Sequence, residues 1–90
     1  MAYDTLLLAT GSGSRHLGAT SAYLPGVHYL RSLDDANELR TAAETATAIV
    51  VIGGGWVGSE VTASLRQLGH EVTLITNLRR PLERVLGPEI

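Results

Sequence analysis

Apolar residues along this chain gather in short blocks separated by glycine, proline and polar clusters, and the spacing inside each block differs. Tyr3 to Ala9 is a mostly continuous apolar run, which predicts a strand buried on both faces. Thr10, Gly11, Ser12, Gly13 and Ser14 then end it in a loop. From Arg15 to Tyr29 the pattern lapses into a connector, in which Leu24-Pro25-Gly26 carries turn chemistry. Ser32 to about Ala46 predicts a helix: Ser32 is placed to cap it, Asp34 and Asp35 favour the dipole in its first turn, and Asp35 occupies the box position. Its stripe of Leu33, Ala36, Leu39 and Ala43 is narrow, so light packing near the surface is expected. Thr41 to Thr47 is rich in alanine and threonine, and a domain boundary is expected there, dividing 1–46 from 47–90.

The second half is patterned more sharply. Ile49-Val50-Val51-Ile52 is a β-branched strand, and Gly53, Gly55 and Gly58 follow at the spacing of the dinucleotide-binding fingerprint. Each glycine has a physical task there. Gly53 lets the chain turn out of the strand, Gly55 lets backbone approach a pyrophosphate, and Gly58 lets the next helix lie close to the strand. Ser59 to Leu68 predicts that helix, with Val57, Val61, Leu65 and Leu68 on one face and Gly69 at the left-handed cap. Val72-Thr73-Leu74-Ile75 reads as another buried strand. Strand, glycine turn, helix and strand make a βαβ unit with an expected right-handed crossover, whose helix N-terminus offers free N–H groups to an anion. Leu82, Val85 and Leu86, after Pro81, predict the start of a further helix running to Gly87-Pro88.

Composition narrows the classes. The 90 residues allow one small domain with a modest core. A net charge of −2, with acidic and basic residues interspersed, is no footprint for nucleic acid or a membrane surface. The 44% hydrophobic content excludes a disordered chain, and no apolar run approaches the roughly 18 residues of a membrane span. With no cysteine there is no disulfide framework, thiolate metal site or dithiol redox pair. The N-terminus lacks a signal peptide's basic region and long apolar core, so a cytoplasmic location is the default. His16, His28 and His70 have no ligand or nucleophile at useful spacing and read as surface residues; Asp34, Asp35 and Glu38 read as capping charges rather than a carboxylate pair.

Tyr3-Asp4 leading into Leu6-Leu7-Leu8-Ala9-Thr10-Gly11, then Leu24-Pro25-Gly26-Val27, then Leu30 to Ala36, then the glycine motif with Glu60, resembles the FAD-dependent pyridine nucleotide oxidoreductases over nearly the whole chain. The ferredoxin and rubredoxin reductase branch, with the apoptosis-inducing-factor-like proteins, is the nearest in character. The resemblance implies a partial Rossmann-like α/β fold that binds FAD and NAD(P)H. Residues 1–46 would close the first FAD segment and 47–90 would open the NAD(P)H domain. It implies that Thr10 and Gly11 face FAD, that Gly53, Gly54, Gly55, Trp56, Val57 and Gly58 hold NAD(P)H, and that Glu60 lies beside nicotinamide and flavin. Hydride would pass from nicotinamide to flavin and single electrons to a ferredoxin- or rubredoxin-like iron–sulfur partner.

Two departures from the family's pattern qualify this. The family's FAD glycine motif, upstream of the Tyr-Asp strand, has no counterpart here, so the chain reads as a fragment expected to be inactive alone. At the end of the second strand, where an acidic residue would bind the ribose 2′-OH and repel a 2′-phosphate, stands Thr76. Arg79 and Arg80 follow, either to pair with a 2′-phosphate or as solvated loop charges. Trp56 likewise has two readings, packing on the cofactor or filling space between domains. The functional classes in contention are a reductase fragment, a non-catalytic dinucleotide-binding module and an inert truncated domain; flavin copurifying with the protein separates the first from the others. A short-chain dehydrogenase is disfavoured because a strand, loop and helix precede the glycine motif.

Overall fold

A computed structural model describes residues 2–18 and 24–87. The middle of the predicted connector and Pro88, the predicted limit of the last helix, lie outside the described residues. The chain divides into two compact units, Met1–Arg40 and Thr41–Ile90, and the division falls inside helix α1, Leu33–Thr45.

In the first unit the predicted strand at Tyr3 to Ala9 does not form. The segment is irregular and exposed, with Leu7 at 86%. A strand exists by pairing its N–H and C=O groups with a neighbour, and among the described residues the only sheet is the two-stranded one of the second unit. The Leu24-Pro25-Gly26-Val27 turn does form: the Val27 N–H donates to the Leu24 carbonyl at 3.1 Å, and Gly26 has φ +81°, as a type II turn needs.

The start of α1 is a reciprocal capping box. The Asp35 N–H donates to Ser32 Oγ at 3.2 Å, while the Ser32 N–H donates to Asp35 Oδ2 at 2.8 Å. The Arg31 N–H reaches the same carboxylate oxygen at 2.9 Å. The Asp35 carboxyl is held below its ordinary range, chiefly by the Ser32 N–H, then by the Ser32 hydroxyl and the Arg31 N–H. A carboxyl with a depressed folded pKa contributes stability above its unfolded pKa and loses it as pH falls through the folded one. The α1 N-terminus should therefore fray only in acid below the ordinary aspartate range. Ser32→Ala should cost about 1 kcal/mol at neutral pH. Amide hydrogen exchange along α1 reads both effects, and unchanged protection in the variant refutes the cap.

The second unit is a βαβ unit. Strands β1, Ile49–Ile52, and β2, Val72–Ile75, run parallel with Ile49 opposite Val72 and Ile52 opposite Ile75. The ladder is extended by Ile49 N–H to the Glu71 carbonyl at 2.9 Å and Gly53 N–H to the Ile75 carbonyl at 2.8 Å. Helix α2, Trp56–Gln67, connects them and packs on both strands. It begins earlier than Ser59 because Gly55, extended at φ −82° and ψ −170°, already serves as N-cap and its carbonyl accepts the Ser59 N–H at 3.0 Å. The predicted docking face is narrower in fact: Leu65 is buried and Val61 half-buried, while Val57 and Leu68 are exposed. The other end is a complete Schellman motif. Gly69, at φ +93°, donates to the Arg66 carbonyl at 3.0 Å, and His70 N–H to the Leu65 carbonyl at 3.1 Å.

The two strands read as buried runs, but among the described residues they are covered on one face only. Ile49, Val51, Val72 and Leu74 are half-buried on the α2 side, whereas Val50 (57%), Ile52 (58%) and Ile75 (51%) remain exposed. A single crossover helix covers a single face, and an apolar run with both faces occupied needs a second layer. Helix α3, Glu83–Leu86, is one turn long.

Candidate functional site

The strand-to-helix turn from Gly53 to Gly58 assigns a distinct constraint to each glycine. Gly53 has φ +117°, a conformation L side chains rarely adopt, and it swings the chain out of β1. A Cβ on Gly58 would collide with the Gly53 carbonyl oxygen and come within 3.7 Å of Val51 Cγ1, so α2 can leave the strand this closely only from a glycine. A Cβ on Gly55 would meet nothing within 4 Å. The three tasks expected of the motif thus separate into a turn, an open approach and a close packing.

Electrostatics follow from the same geometry. The first helical bond is made by the Ser59 N–H, which leaves the N–H groups of Gly55, Trp56, Val57 and Gly58 outside the α2 ladder. Gly55 supplies no side-chain cap and no acidic residue stands in the first turn. Uncapped N–H groups and the positive end of the dipole therefore face the open side of Gly55. Trp56, 53% exposed, and exposed Val57 open the helix; Glu60, also exposed, lies one turn further on. Ser59 Oγ is buried with no hydrogen-bond partner among the described residues. A buried hydroxyl without a partner is unusual; nothing in the sequence pattern distinguished it.

The loop after β2 packs against this turn. Thr76 is half-buried, and its Oγ1 accepts the Leu78 N–H at 3.1 Å. Arg79 and Arg80 are exposed, and their backbone N–H groups donate to Glu83 Oε2 at 3.1 and 3.3 Å. Leu82 has φ +63° and its N–H donates to the Gly54 carbonyl at 2.7 Å. Gly54 is buried: a Cβ there would fall 2.8 Å from Thr76 Oγ1, 2.9 Å from Thr76 Cβ and 3.4 Å from Pro81 Cα. The resemblance counts Gly54 among the residues that hold NAD(P)H and the apolar spacing puts Leu82 at a helix start, where it stands as the left-handed N-cap of α3; neither implies the packing of Thr76 and Pro81 on Gly54 or the bond from Leu82.

Thr10 and Gly11 lie in the first unit, exposed, with Gly11 at φ +79° and open space where a side chain would start. The loop just beyond is held by Arg31, whose Nε donates to the Ser12 carbonyl and Oγ, each at 3.1 Å. His16 stacks on Tyr29 with ring centroids 4.2 Å apart, and the Tyr29 hydroxyl accepts the Leu17 N–H at 3.1 Å. His16, Tyr29 and Arg31 border a shallow polar cleft of about 360 Å³ with Ser14, His28 and Glu38. Among the described residues no three His, Asp or Glu side chains are grouped to hold a metal, and no helix is long and apolar enough to cross a membrane.

The family model for the pyridine nucleotide-disulphide oxidoreductases matches residues 1–90. The chain belongs to that family. Its βαβ unit is accordingly a partial form of the family's Rossmann-like fold. Among curated relatives it is similar to a rhodocoxin reductase of Rhodococcus erythropolis, 44% identical over 94% of this chain and 20% of the relative. It is also similar to a rubredoxin–NAD(+) reductase of Pseudomonas putida, 41% identical over 97% of the chain and 23% of the relative. A ferredoxin–NAD(+) reductase component of the biphenyl dioxygenase system of Paraburkholderia xenovorans is 41% identical over 97% and 21%. The chain thus spans about a fifth of the length of these oxidoreductases. No solved structure matches it.

Proposed function

We propose that this chain forms the NAD(P)H-binding start of a cytoplasmic flavoprotein reductase, together with the segment that closes its first FAD-binding stretch. The carrying observation is the uncapped N-terminus of α2 opposite the open face of Gly55, a cradle of the right charge for a pyrophosphate. The orphan hydroxyl of Ser59 is a further polar group awaiting a partner. Residues 47–90 then belong to the nucleotide domain and 1–46 to the flavin side. On that side Thr10 and Gly11 would present backbone to FAD, the loop beyond them being fixed by Arg31.

Nicotinamide and flavin supply hydride transfer when bound, and the relatives named for ferredoxin and rubredoxin point to such proteins as electron acceptors. The protein's own part is positional. Gly55 and Gly58 bring backbone N–H groups to the diphosphate, Gly53 and Gly54 shape the turn that presents them, Trp56 and Val57 border it, and Glu60 extends along α2 toward the reacting rings. The ribose end falls to the loop after β2. Thr76 accepts a neighbouring N–H instead of presenting a carboxylate, so nothing at that position repels a 2′-phosphate. Arg79 and Arg80 supply cations, and NADPH should bind at least as tightly as NADH.

Titration of the protein expressed from its native reading frame, followed by Trp56 fluorescence, tests this. Quenching by both nucleotides is expected. Replacing both arginines with alanine should weaken NADPH about tenfold or more, the worth of a lost charge-assisted contact, with little effect on NADH. A tenfold preference for NADH that survives the double replacement refutes the 2′-phosphate assignment; absence of any quenching refutes the place given to Trp56.

A further inference from the structure

We infer that Gly54 is a positioning residue for nucleotide choice, acting by clasping the Thr76–Leu82 loop against the phosphate turn. The inference rests on the assignment of that loop to the adenosine ribose. Gly54 lies at one of the variable places of the fingerprint, between the turning glycine and the approach glycine, so the motif itself demands nothing there. Two contacts nevertheless converge on it. The Leu82 N–H donates to the Gly54 carbonyl at 2.7 Å, and Thr76 and Pro81 close over its Cα so tightly that a methyl group would overlap Thr76 Cβ as well as Oγ1. A side-chain oxygen can rotate aside; Cβ moves only with the backbone, and Pro81 Cα is backbone already.

The far end of the loop is held under strain. Leu82 sits at φ +63°, a left-handed conformation uncommon for a leucine, and the hydrogen bond to Gly54 is made from that conformation. Between the two anchors, the Leu78 N–H on Thr76 Oγ1 and the Arg79 and Arg80 N–H groups on Glu83 fix the intervening backbone. The Arg79 and Arg80 backbone is thereby set at a defined distance from the helix N-terminus that seats the pyrophosphate. Covalent geometry limits the span of a dinucleotide from pyrophosphate to ribose 2′-oxygen, so shifting the loop alters contacts at the 2′ position before it alters those at the diphosphate.

Gly54→Ala adds a methyl group facing the loop, and Leu82→Pro removes the N–H and forces φ to about −65° without adding an atom at the phosphate turn. Binding constants for NADPH and NADH are measured on the native protein, on each variant, and on Arg79→Ala/Arg80→Ala. Each clasp variant should lose about tenfold in NADPH affinity, the scale of one charge-assisted contact, while NADH changes less than about threefold. Should Gly54→Ala fail to fold, Leu82→Pro alone decides. Equal losses for both nucleotides would make Gly54 an ordinary part of the phosphate turn and overturn the inference. So would unchanged preference in both clasp variants beside a lost preference in the arginine variant, an outcome that leaves the assignment of the loop intact. If the arginine variant is also without effect, the assignment itself fails and the clasp has no preference to set.

Discussion

Gly58→Ala unfolds the βαβ unit or destabilises it by more than about 3 kcal/mol, the upper end of what overpacking costs. Two effects of opposite sign compete at this position. Gly58 lies within α2, and glycine to alanine in an ordinary helix interior gains about 1 kcal/mol. The added methyl group, however, would run into the Gly53 carbonyl oxygen, with its carbonyl carbon 3.0 Å away. Gly53 cannot retreat: its N–H is bonded to the Ile75 carbonyl at 2.8 Å and its φ of +117° is already confined to glycine. Relief would require lifting α2 off β1, which gives up part of the packing around Leu65, one of only two buried apolar side chains among the described residues. The collision therefore outweighs the propensity gain. Urea unfolding compares the two proteins; a variant as stable as the parent, or more so, means that α2 does not cross β1 at this distance.

That βαβ geometry was legible in the sequence because each part of it is local. The strands Ile49–Ile52 and Val72–Ile75 stand where the β-branched runs place them, Gly69 caps α2 as its position after the periodic residues demands, and the Ser32–Asp35 box closes as its spacing implies. Tyr3 to Ala9 shows the limit of such reading. Its apolar run states that the segment suits a buried strand, yet a strand is a pairing, and among the described residues none lies beside it. The exposed faces of Val50, Ile52 and Ile75 have the same origin: composition records what a surface is suited to contact, not whether the contact is supplied. In relatives about five times longer there is ample chain for a second layer. The candidate site divides along the same line. The glycine spacing located the strand-to-helix turn and the uncapped helix N-terminus, whereas the packing of Thr76 and Pro81 on Gly54 is a tertiary contact with no periodic signature.

Gly55→Asp separates binding from folding in the direction opposite to Gly58→Ala. Gly55 is the N-cap of α2 in extended backbone, φ −82° and ψ −170°, a conformation any residue adopts, and a Cβ there meets nothing within 4 Å. Aspartate is a better N-cap than glycine by a few tenths of a kcal/mol, and its charge at the helix N-terminus adds about 0.3–1 kcal/mol. The variant should accordingly be at least as stable as the parent in urea. Its carboxylate would accept the N–H groups of Val57 or Gly58, the same groups that the proposed site offers to a pyrophosphate, and would set a negative charge there. Losing two charge-assisted bonds of about 1.5–3 kcal/mol each predicts a fall in affinity on the order of a hundredfold or more. NADH and NADPH should suffer alike, because the diphosphate is common to both, in contrast to the selective loss expected at Gly54. Calorimetric titration beside an unfolding curve measures the two quantities on one sample. A stable Gly55→Asp protein that still binds dinucleotide within about threefold of the parent would remove the α2 N-terminus from the site, since a carboxylate and a phosphate cannot hold the same N–H groups.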